Sequence, residues 1–153
     1  MNIWVDADNC SVSVRKIIQR AAIRKCIVAS FIANVAISLP SSSYLRCVLV
    51  APGSQSTDEY IKAAAQRGDI AVTADIPLAY FLVGEGLSVI NPRGDLYTSE
   101  TIGERKSMRN FMTSLRAAGL RPPAHKRFGK KPSRKFAEQF DKSLTSLAGS
   151  PEK

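Results

Sequence analysis

Ile3-Trp4-Val5-Asp6-Ala7-Asp8-Asn9-Cys10 is the stretch on which the fold turns. Two β-branched residues flanking an aromatic one suit a short buried strand. The strand runs straight into two carboxylates, and helical periodicity begins a few residues later. A strand feeding a helix in this way starts an alternating α/β chain. Sheets of that kind bind ligands outside the carboxyl ends of their strands, so Asp6 and Asp8 are candidate site residues by position. The expectation is that they begin a divalent-metal site.

The alternation continues along the chain. Val14, Ile17, Ile18, Ala21 and Ala22 recur at helical spacing opposite Arg15, Lys16, Arg20 and Arg24, with Ser11 or Ser13 placed to cap the start. Ile27 to Ala33 reads as a second strand closed by Asn34, and Leu45 to Val50 as a third. The link between them is short for a crossover helix, which predicts a loop or irregular turn. Ser56-Thr57-Asp58-Glu59 has capping-box spacing, opening a helix with Ile61, Ala64 and Ala65 on one face and Asp58 in its first turn. Asp69 to Thr73 is a fourth strand. Asp75 then precedes a short helix with Pro77 in its first turn, and Leu87 to Ile90 is a fifth strand.

Asn91-Pro92-Arg93-Gly94 makes a turn. A long helix from Thr98 or Ser99 follows, with Met108, Phe111, Met112, Leu115 and Ala118 as its stripe and Gly119 as its stop. Phe136, Phe140 and Leu144 mark a last helix docked on the domain. The predicted class is α/β, a mostly parallel sheet of about five strands with helices on both faces over residues 1–119. Residues 120–153 are expected to be a basic flexible linker ending in that helix.

Composition narrows the chemistry. A chain of 153 residues suits one domain with its own core. Asp6 and Asp8 interrupt the apolar start, so no secretory leader is expected. The apolar-leaning run Cys26–Leu39 falls short of the roughly 18 residues a membrane helix needs. The expected location is cytoplasmic. Cys10, Cys26 and Cys47 have neither zinc nor disulfide spacing and read as buried thiols, although Cys10 lies near enough to the acids to line a site or react. The one histidine, His125, sits in the tail, which argues against Ser-His-Asp, Cys-His and His-based zinc chemistry in the core. The net charge of +9 is uneven: 13 Lys/Arg against 10 Asp/Glu in residues 1–119, but 9 against 3 in residues 120–153. A basic tail of this kind attracts polyanions, which makes RNA the expected partner. The oligomeric state is not legible.

Asp6, Asp8, Asp58 and Asp75 fall at comparable places in this topology. If the first and fourth strands are neighbours, these acids converge. Two carboxylates about 5 Å apart repel by roughly 3 kcal/mol at an effective dielectric near 20, so a cluster calls for a cation, a proton or an arginine. Mg²⁺ or Mn²⁺ is the expected guest, with phosphodiester hydrolysis by a metal-activated water as the expected chemistry. Arg93, Arg105, Lys106, Arg109, Lys126, Arg127, Lys130 and Lys131 are candidate backbone contacts.

Asp6-Ala7-Asp8, the segment DIAVTADIPLA from Asp69 to Ala79, Asn91-Pro92-Arg93-Gly94 and Met108-Arg109-Asn110-Phe111-Met112 together resemble the YaiI/YqxD family of uncharacterised bacterial proteins. The resemblance spans about residues 1–119, with a weaker echo in the last helix. That family is similar to the wider PIN-like group, typically metal-dependent ribonucleases with an acidic site at the carboxyl edge of a parallel sheet. The resemblance implies that Asp6 is the strand-one metal ligand and that Thr73-Ala74-Asp75 is the T-x-D element, with Asp6 and Asp75 catalytic. Asp58 matches an acid at the start of the second helix, and Asp6 with Asn9 gives the D-x-x-N of related NYN nucleases. Cys10, Asn34 and Thr73 are supporting candidates. This chain departs from the family's usual D-A-D-A-C-P at Asn9 and Ser11. Gln55 stands where an aspartate is common, which argues against a second metal. The alternatives are a nucleic-acid-binding module without turnover and a haloacid-dehalogenase-like phosphatase using Asp6 as nucleophile.

Overall fold

The computed structural model describes residues 1–51, 54–98, 101 and 130–148. Strand β1 (Ile3–Asp6) leads through a 3₁₀ turn (Ala7–Asn9) into α1 (Val12–Lys25), whose first turn is capped by the Ser11 hydroxyl accepting the Val14 N–H. Next come β2 (Ala29–Ala33), β3 (Leu45–Leu49), α2 (Ser54–Ala64), β4 (Ile70–Val72), α3 (Ile76–Gly84), β5 (Ser88–Ile90), β6 (Leu96–Tyr97) and α4 (Lys130–Ala148). The connection from β2 to β3 contains no helix, as its length predicts.

The sheet runs β3-β2-β1-β4-β5-β6, with the first five strands parallel and β6 antiparallel to β5. The sixth strand is a correction to the five expected. Two residues are too few to show a period of two, and β6 exists because the Asn91–Asp95 turn folds the chain back on β5. That turn is built by Asn91, whose buried side-chain oxygen accepts the N–H groups of Arg93 and Asp95. A second correction concerns α2, which starts at Ser54, so Asp58 lies beyond its first turn. Ser54, Gln55 and Ser56 are neither β-branched nor proline, and the helix extends back through them. The expected long helix with Met108, Phe111, Met112 and Leu115, and the basic residues 105–127, lie outside the described residues.

Alternation along β1 assigns its side chains to two layers. Ile3 and Val5 pack with Val14 and Ile18 of α1 and with Phe136, Phe140 and Leu144 of α4. Trp4 packs on the other face with Ile61 of α2 and Leu78 and Leu82 of α3. Both faces are therefore covered, which is the condition for a parallel sheet to persist in water. Gly94 lets the β5–β6 turn approach α4: at φ +94° any Cβ there would sit 2.6 Å from the Lys135 carbonyl carbon and the Phe136 nitrogen.

The amino edge is tied by Asp69, read from sequence only as the start of a strand. It lies just before β4, and its buried carboxylate accepts the Trp4 indole N–H at 2.9 Å and the backbone N–H groups of Asn2 and Gln66 at 3.0 Å each. Asp69→Ala leaves a buried indole N–H and two backbone donors without their acceptor. The expected loss is about 3 kcal/mol in urea unfolding. A change within about 0.5 kcal/mol would show that this carboxylate does not hold the edge.

Candidate functional site

β1 and β4 are neighbours at the point where the strand order reverses, so their carboxyl ends flank the crevice in which open α/β sheets bind ligands. By alternation Asp6 shares a face with Trp4, and Thr73 with Ala71, which is the face covered by α2 and α3. Both helices follow parallel strands, so their N-termini lie at this same edge. Asp6 forms the floor of the site, Asp58 comes from α2, and Asp75 from the cap of α3.

The floor is closely bonded. Asp6 is 2 % exposed, and its Oδ2 accepts Asn9 Nδ2 at 2.7 Å and the Thr73 hydroxyl at 3.1 Å. Thr73 Oγ1 in turn accepts the Asp75 N–H at 3.0 Å. One hydroxyl thus links the end of β1 to the cap of α3. Asp75 Oδ1 accepts the Leu78 N–H at 2.9 Å, a helix cap with Pro77 in the first turn. Capping and site membership coincide in this residue, because a carboxylate has a second oxygen to present.

Charge has accumulated here. Burial pushes the Asp6 carboxyl above its ordinary value of 3.8, against the lowering hydrogen bonds from Asn9 and Thr73, and the charges of Asp8 and Asp75 push the same way as burial. Asp58 is pushed up to about 6 by burial first, then by the charges of Asp75 and Asp6, with Lys62 pulling it back and a hydrogen bond with Asp75 raising it further. Two carboxyls in hydrogen-bonding reach share a proton most readily when one of them is protonated. The contact with Asp75 is of this kind, and it is one of the causes that raise the Asp58 carboxyl.

The other expected residues divide. Asp8 contributes charge to Asp6, but its carboxylate is exposed and accepts the Asn34 N–H at 3.0 and 3.3 Å, toward β2. Arg93 is exposed on the β5–β6 turn. Lys130 and Lys131 open α4, while Arg105, Lys106, Arg109, Lys126 and Arg127 lie outside the described residues. Burial argues against the reactive reading of Cys10. Its thiol is buried in the layer between α1 and α4, and burial, with the charge of Asp6, pushes it up to about 12. Only this cysteine fits the buried reading, since Cys26 and Cys47 are exposed. Among the described residues no three of His, Cys, Asp and Glu stand arranged to hold a metal ion. Nor is any described helix long and apolar enough to cross a membrane.

Sequence reasoning passed over Thr57. It is 3 % exposed, and its hydroxyl, like the buried Oδ1 of Asn34, has no hydrogen-bond partner among the described residues. The signal available was its place four residues before Ile61, which puts it on the inward face of α2 beside Asp58.

Because both acid shifts run upward, the folded chain holds these protons more tightly than the unfolded chain. The stability linked to Asp58 is fully present below pH 3.8 and is lost as pH rises through about 6. Asp58→Asn removes that titration. Its melting temperature should match wild type near pH 4 and exceed it by pH 7. Parallel curves across this range would contradict the repulsion assigned to the site.

The model of a family described as the uncharacterised YaiI/YqxD family matches residues 4–146. A UPF0178 protein of Syntrophobacter fumaroxidans is 47% identical over 145 residues, covering 95% of each chain. A UPF0178 protein of Treponema pallidum is 45% identical over 147 residues, covering 96% of this chain and 83% of its own. One from Myxococcus xanthus is 44% identical over 147 residues, covering 96% of each. No solved structure matches. A match of this length, with relatives of this identity along nearly the whole chain, settles the family: the chain belongs to the YaiI/YqxD family.

Proposed function

We propose that the chain is a PIN-like, Mg²⁺- or Mn²⁺-dependent ribonuclease. The observation that carries this reading is the convergence of Asp6, Asp58 and Asp75 at the carboxyl edge between β1 and β4, where Thr73 links Asp6 to Asp75 and Asp75 lies in hydrogen-bonding reach of Asp58. A stable fold gains nothing from raising its own carboxyls in this way, whereas a site that awaits a cation does.

The donor set fits a hard divalent cation by its chemistry. It is all oxygen, with Asp6, Asp75 and Asp58 as the residues that would hold the ion, and these would have to draw together on binding, since they do not stand in a ligating arrangement without it. The Asn9 amide now on Asp6 Oδ2 is the bond that must yield. Bound there, the ion would offset charge on the phosphoryl group and activate the attacking water. The chain's own residues do the remaining work. Thr73 orients the Asp6 carboxyl through its hydroxyl. Asp58, whose carboxyl is raised toward neutrality beside Asp75 and Asp6, would give up its proton on joining the ligand set, so ion binding there depends on pH. Asp8 and Asn34 support the rim, and Arg93 with the basic residues from Arg105 to Lys131 holds the phosphate backbone.

A second reading, RNA binding without turnover, draws on the same Asn9 contact, because a neutral amide already satisfies the oxygen that a cation would use. A cleavage assay on single-stranded RNA with added Mn²⁺ separates the two. Wild type should cut and Asp6→Asn should not. Cleavage by both proteins, or cleavage that persists in EDTA, would place the activity elsewhere. Salt-sensitive binding with no cleavage under any metal would establish the second reading.

A further inference from the structure

Helix α3 carries no charged residue from Ile76 to Gly84. A surface helix of a globular protein ordinarily turns a polar face outward. Here Leu78, Ala79 and Leu82 are buried, and the outward face shows Pro77, Tyr80 at 48 % exposure and Phe81 at 39 %. Neighbouring α2 packs against α3 and sets Lys62 Nζ 5.1 Å above the Phe81 ring. Tyr60, also exposed, lies further round α2 with its ring 6.4 Å from that of Trp4. Arg67, past the end of α2, lies against Gly86, where an added Cβ would come within 2.8 Å of its Cγ.

This strip is aimed at the acids. Both helices start at the carboxyl edge, with Asp58 one turn before Lys62 and Asp75 capping α3. Tyr80 and Phe81 come five and six residues after Asp75, about 8–9 Å along the helix at 1.5 Å per residue. A stacked strand covers that distance in two or three nucleotides at a rise of about 3.4 Å. Aromatic faces beside cations suit flat bases joined by phosphates. A purely apolar partner would have to strip water from Lys62 with no charge to receive it. Glu59 on α2 and Glu85 at the end of α3 are exposed as well.

We propose that the α2–α3 face is a binding track for single-stranded RNA, with bases stacked on Tyr80 and Phe81 and phosphates held by Lys62 and Arg67. The proposal rests on the reading of the acids as the reacting centre, which gives the track its direction.

Fluorescence anisotropy with a labelled single-stranded RNA oligonucleotide, in EDTA so that nothing is cut, tests it. The Tyr80→Ala/Phe81→Ala double variant should bind about tenfold more weakly or worse. Phe81→Tyr, which keeps a ring, should bind as wild type does. Lys62→Gln should weaken binding and lower the salt dependence by about one phosphate contact. Thermal melts confirm that each variant is folded. No binding by wild type, or unchanged affinity in a folded double variant, overturns the track. So does sedimentation showing that the double variant turns a wild-type dimer into monomers while affinity stays the same, since the face is then an interface between copies. If cleavage is Asp6-dependent and binding ignores the aromatics, the track alone fails. If binding needs the aromatics and nothing is cleaved, the ribonuclease reading alone fails.

Discussion

A central strand covered on both faces has no solvent to receive a charge, and β1 ends in one. Asp6 is 2 % exposed at the last position of that strand, and the fold answers with two side-chain hydrogen bonds to a single oxygen. Replacing water around a carboxylate takes several good partners, and here they are fewer than the usual complement of a buried one. The Asp6 carboxyl is raised as a result. The proposed site is arranged about this point. Thr73 ties Asp6 to the cap of α3, and the cap brings Asp75 beside Asp58.

The two ends of the sheet treat acids in opposite ways. At the amino edge Asp69 receives three N–H donors and clasps Trp4 of β1 and the preceding Asn2 to the start of β4. At the carboxyl edge the acids are set against one another. Burial alone does not separate the two cases, because Asp6 and Asp69 are both almost fully enclosed. The difference lies in donor count and in neighbouring charge. That contrast is why the carboxyl edge reads as a site and the amino edge as a clasp.

Much of this was legible in the residues. The switch from strand to helical period at Asp6, and again at Asp75, places both acids at strand ends, and the topology of parallel sheets makes such ends converge. Other features depend on contacts far apart in sequence. Asp69 shows its role only once Trp4 has been brought to it across 65 residues. Cys10 follows the acids closely in the chain, yet the turn after β1 carries it into the opposite layer. Strand β6 has no pattern of its own and is created by the Asn91 turn. The early start of α2 moved Asp58 out of the first turn but left it among the acids, because helix position and not cap geometry directs it there.

The central claim is that the coupled acids form a cation site. Crystals soaked in Mn²⁺ and measured for anomalous scattering test it without reference to any substrate. The account predicts one strong peak between Asp6 and Asp75, within bonding reach of Asp58, with Asn9 turned away from Asp6. A map with no peak at that edge, and the Asn9–Asp6 bond intact, would contradict it.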